Sequence, residues 1–100
     1  MSTLVAGALT ATGSSATVFP RSDLIATAFN LSLWGTFAAT VQIQRSFDNG
    51  ATWLPRTSNG TVIAYTAPCS EIVAEPESGV AYRVTVTAFS SGTVNYRISQ

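Results

Sequence analysis

The sequence predicts an all-β fold: a single-domain β-sandwich or jelly-roll-like barrel of seven to nine antiparallel strands. Three observations predict it. Serine and threonine supply 26 of the 100 residues, and with valine they favour a pleated, half-buried surface, while lysine is absent and leucine, glutamate and glutamine are scarce. Apolar and polar residues alternate with a period of two in several stretches, and no helical period is sustained. Glycine-bearing turn signals separate those stretches. The chain is 46% hydrophobic and only 10% charged, which suits one modest core and argues against disorder.

The elements follow in chain order. Residues 1–20 carry no charge and end at Phe19-Pro20. They are expected to form an N-terminal arm or edge strands, with the sandwich proper over 21–100. Asp23 to Leu33 alternates large and small side chains, as a buried strand does, until Trp34-Gly35-Thr36 breaks it. Phe37 to Arg45 has the clearest alternation: Phe37, Ala39, Val41 and Ile43 share one face, and Ala38, Thr40, Gln42 and Gln44 the other.

Asp48-Asn49-Gly50 predicts a hairpin turn. A three-residue loop sets Phe47 opposite Ala51, Ser46 opposite Thr52 and Arg45 opposite Trp53, with Phe47 and Trp53 on the Ile43 face. Ser58-Asn59-Gly60 predicts a second turn leading into Thr61 to Thr66, which Ala67-Pro68-Cys69-Ser70 ends. Residues 71–79 read as a loop with a short strand or turn at Ile72-Val73, and Glu71, Glu75 and Glu77 as solvated loop acids. The C-terminal stretch predicts a hairpin. A three-residue loop, Ser90-Ser91-Gly92, pairs Ala88 with Val94, Val86 with Tyr96 and Val84 with Ile98, and puts Gly92 at the left-handed bulge position.

Composition excludes several chemistries. Histidine is absent, which removes the commonest general base and metal ligand, and the absent lysine removes Schiff-base and P-loop chemistry. Cys69 is the only cysteine; it reads as a small buried hydrophobe rather than a nucleophile or zinc ligand. Five arginines balance five acids, so no basic excess draws nucleic acid. No apolar run reaches the ~20 residues of a membrane helix, and the start lacks the basic region of a signal peptide. No catalytic residue, metal site or cofactor is expected.

Arg83 and Arg97 are expected on the polar face of the terminal hairpin, and Trp34 and Phe89 on or beside turns. These four are the candidate partner-interface residues. Ser46-Phe47-Asp48-Asn49-Gly50-Ala51-Thr52-Trp53 resembles the Asp-box, Ser-x-Asp-x-Gly-x-Thr-Trp, at every defined position. In the families that carry that motif it is a folded hairpin, usually away from catalysis. Asp48, Gly50 and Trp53, together with Gly92, are therefore the expected structural turn residues. One copy does not make a propeller, which needs repeated blades.

Over roughly residues 34–100 the chain also resembles a group of small virion structural proteins of tailed bacteriophages. Trp34-Gly35-Thr36-Phe37, the run Thr40 to Pro55, Ala67-Pro68-Cys69-Ser70-Glu71, Glu75 to Arg83 and Ser91 to Gln100 carry the likeness. The first 33 residues match only as a β-rich lead-in. The resemblance implies a place in the virion and transfers no catalytic residue. The expectation is a non-enzymatic decoration or cement protein, made in the host bacterial cytoplasm. It would bind major capsid protein subunits on the capsid surface as a homo-oligomer, a trimer being favoured, without contacting nucleic acid or membrane. The alternatives are a neck, tail or fibre component, or a carbohydrate-binding β-sandwich with Trp34 or Phe89 as a stacking platform.

Overall fold

The computed structural model describes residues 3–23 and 26–100, and these form an all-β sandwich with no helix among them. The strands are β1 (Thr3–Leu9), β2 (Gly13–Ser14), β3 (Ala28–Trp34), β4 (Phe37–Ser46), β5 (Leu54–Pro55), β6 (Thr57–Ser58), β7 (Thr61–Val62), β8 (Cys69–Ala74), β9 (Ala81–Gly92) and β10 (Val94–Ser99). The described residues contain ten strands where seven to nine were expected; four of them, β2, β5, β6 and β7, are only two residues long. The first sheet has the order β1-β10-β3-β8 and the second β2-β9-β4-β5; β6 and β7 form a separate small hairpin. Every pairing is antiparallel.

The core lies between the two sheets, as alternation dictates. Phe29, Leu31 and Leu33 of β3 and Val94, Tyr96 and Ile98 of β10 face Val41 and Ile43 of β4 and Tyr82, Val84 and Val86 of β9. Phe29 and Tyr82 meet across the sandwich edge to face, centroids 4.7 Å apart. Cys69 is half-buried against this core, and burial followed by the nearby Glu71 charge pushes its thiol up.

The expected C-terminal hairpin does not form. Val86 pairs with Val41, and Tyr96 pairs with Gly7 and Leu33, so β9 and β10 belong to opposite sheets. Gly92 does adopt a left-handed conformation (φ 92°), but at an arch between sheets rather than at a hairpin bulge. A Cβ there would overlap the Thr36 carbonyl oxygen and lie 2.7 Å from Phe37 Cα. The reason is a second arch, from β3 to β4 through Gly35 (φ 109°), that runs alongside. Thr93 N–H donates to the Thr36 carbonyl (2.9 Å), and Asn95 Nδ2 to the Trp34 carbonyl (3.3 Å), tying the arches together.

Three other expectations are revised. Residues 71–79 are not simply a loop: β8 pairs along β3 from Ala28–Ala74 to Leu33–Cys69, because Ile72 and Val73 alternate across the edge of the first sheet. The strand expected over Thr61 to Thr66 shortens to β7, with an isolated bridge from Tyr65 to Val41. The strand expected from Asp23 begins at Ala28, and Leu24 and Ile25 lie outside the described residues.

Within residues 3–20 the chain runs as edge strands rather than as a free arm. β1 pairs with β10, β2 with β9, and Val18 bridges to Tyr82. Its apolar Val5, Leu9 and Val18 pack on the core.

Candidate functional site

The turn after β4 is built by its own side chains. Ser46 Oγ donates to Asp48 Oδ1 (2.7 Å), which also accepts the Thr52 backbone N–H (2.8 Å), and Gly50 N–H donates to Ser46 Oγ (2.9 Å). The Ser46 hydroxyl, then the Thr52 amide, hold the Asp48 carboxyl down to about 2. Asn49 and Gly50 both have positive φ. The register is one residue longer than expected: Arg45 pairs with Leu54, not Trp53. The slip separates the two aromatics. Phe47 stacks on Arg45 (4.7 Å), whereas Trp53 lies under Gly50 on the opposite face and carries the Arg83 guanidinium (4.3 Å).

Arg83 is therefore engaged within the molecule, on the outer face of the second sheet. Its Nε donates to Gln44 Oε1 (2.9 Å), which also accepts the Thr85 hydroxyl (3.1 Å); Thr85 in turn bonds Ser14 (2.9 Å). Arg97 lies on the outer face of the other sheet, where its Nε donates to Thr3 Oγ1 (3.0 Å). The two arginines do not share a face, because their strands do not pair. Phe89 is half-buried and packs against the core beside Ala39, so it is not an exposed platform. Trp34 is 46% exposed at the end of β3.

The outer face of the first sheet is nearly uncharged. β1 contributes Ala6 and Ala8, and β3 Asn30, Ser32 and Trp34. β8 adds Ser70, Ile72 and Ala74, with Ser32 and Ser70 joined hydroxyl to hydroxyl (3.1 Å). Arg97 is the one charge on that face among the described residues. Ile72, 74% exposed, and Trp34 are large apolar side chains on it.

Sequence reasoning missed one site. Glu75 is not a solvated loop acid; it is 2% exposed. Its carboxylate pairs with Arg45 Nη2, accepts the Tyr82 hydroxyl (2.6 Å) and accepts the Glu77 backbone N–H (3.0 Å). Its backbone is held as well, by Thr27 (2.8 Å) and by the Ser22 hydroxyl. Burial, then the bond to Glu75, pushes the Tyr82 phenol well above its ordinary value. The available signal was Arg45 itself, whose place in the β4 alternation puts a charge on the Ile43 face, where it needs an acid.

Among the described residues no group of three or more His, Cys, Asp or Glu side chains converges as a metal site. No protein-family model, curated protein or solved structure matches this chain. Fold and surfaces together define a β-sandwich with one polar, internally bonded outer face and one outer face nearly without charge.

Proposed function

We propose that this chain is a non-enzymatic structural protein of a tailed-bacteriophage virion, a capsid decoration or cement protein that binds major capsid subunits. The observation that carries the reading is the outer face of the first sheet, with Trp34 and Ile72 exposed on small side chains around a single cation. Such a face suits adhesion: aromatic and arginine anchors dominate interface energetics, and small neighbours let a partner approach closely. The likeness of residues 34–100 to small virion structural proteins supports the setting. Many symmetric copies would let a modest contact hold by avidity. A neck, tail or fibre position uses the same face and differs only in symmetry. The exposed Trp34 ring also favours a second reading, a carbohydrate-binding module.

Imaging purified particles with the chain located in them tests the proposal. Copies at regular sites over the shell support decoration, and a single ring or fibre at one vertex moves the chain to the neck or tail. Particles that lack the chain, or an isolated product that turns over a substrate, overturn the reading. Glycan-array binding lost in Trp34→Ala would favour the carbohydrate module.

A further inference from the structure

Of the four edges of the two four-stranded sheets, two are two-residue strands, β2 and β5, the latter containing Pro55. A third, β8, carries Glu71 and lies between Pro68 and Pro76. Short strands, prolines and charges are the devices that stop an edge from recruiting another strand. The fourth edge, β1, is seven residues long with neither charge nor proline, and its bulge at Leu4 leaves Val5–Leu9 in regular pairing with β10. One row of its backbone N–H and C=O groups faces away from the sheet.

We propose that β1 pairs antiparallel with β1 of a second copy of this chain, about a two-fold axis through Gly7. The sequence of the edge identifies the occupant. With the dyad at Gly7, Val5 lies opposite Leu9 of the second copy and Leu9 opposite its Val5. Both are only half-buried in one copy, where they form the rim of the core, and the dyad continues the core across the junction. On the outer face Ala6 meets Ala8 of the second copy, two methyl groups with no steric obstacle between the strands. No charge opposes a like charge anywhere in the paired stretch. The two first sheets become one continuous sheet, and their nearly uncharged outer faces join.

Five paired residues bury less than the ~1,200 Å² of a standard interface, so the dimer is weak and concentration-dependent. The pairing belongs to the isolated chain and does not rest on the virion reading. A two-fold contact gives an even-numbered assembly, in contrast to the trimer favoured from sequence.

Sedimentation velocity of the full chain across a wide concentration range tests it. The mass should rise from 10.5 kDa toward twice that value. The double variant Ala6→Glu with Ala8→Glu opposes like charges across the dyad and should weaken association about tenfold. The corresponding double lysine variant should do the same. An equimolar mixture of the two should recover the dimer as a heterodimer. All substitutions sit at exposed positions, and circular dichroism of each variant is to check that it is folded. Mass that stays at the monomer at every concentration, mass that converges on three copies, or glutamate and lysine variants that do not recover dimer on mixing would each overturn the proposal.

Discussion

Tyr82 donates its phenolic hydrogen to Glu75 Oε1 at 2.6 Å inside the sandwich, while its ring packs edge to face on Phe29. One residue of β9 thus joins the two sheets through its ring and anchors the β8–β9 connection through its hydroxyl. Tyr82→Phe keeps the ring and leaves a buried carboxylate short of a donor. The expected cost is about 1–3 kcal/mol, read from urea unfolding.

The same pairing makes stability fall in alkali. Tyr82 has a folded-state pKa raised above its unfolded value of 10.0, so its contribution is full below pH 10 and is lost as pH rises beyond it. Denaturation midpoints measured from neutral pH upward should decline above pH 10 in the native chain and decline less in Tyr82→Phe.

Arg45 is the counter-charge. Arg45→Met strands Glu75 in the core and should cost about 3 kcal/mol, the low end for a buried pair because Arg45 keeps some access to solvent. The double variant with Glu75→Gln should cost less than the two single losses added, as a double-mutant cycle would reveal.

Acid acts on the carboxylate of the β4–β5 turn. Asp48 is held down to about 2 from an ordinary 3.8, so its contribution is present above pH 4 and is lost as pH falls toward 2. Asp48→Asn should remove that part of the acid slope and leave the alkaline limb unchanged.

The glycine positions separate strain from collision. Gly92→Ala meets both a positive φ and the backbone of Thr36 and Phe37, and should cost well over ~1 kcal/mol. Gly60→Ala, with open space around it, meets the positive φ alone and should cost about 1 kcal/mol in the same unfolding assay.

Alternation along β3, β4, β9 and β10 made the core legible in the sequence: Leu31, Val41, Ile43, Val84 and Ile98 all fall inside. Pairing was less legible, for a physical reason. A hairpin places two apolar faces side by side, and an arch places them across the core from one another. Val84, Val86, Tyr96 and Ile98 alternate identically either way, and Ser90-Ser91-Gly92 supplies the left-handed residue that both connections require. What separates them is the Thr36 carbonyl beside Gly92, a contact made by residues more than fifty positions away. The Glu75 site was hidden because its charge partner lies on another strand, thirty positions earlier. Its partners are Arg45 and Tyr82, and a glutamate followed by Pro76 and Glu77 reads locally as loop.

The position of β10 between β1 and β3 sets an order on biosynthesis. Thr3 cannot find Ser99, nor Leu31 find Ile98, until the stretch from Val94 onward has left the ribosome. Until then the nascent chain holds two strands of one sheet with the place between them unfilled, and cooperative closure waits on the insertion of that central strand.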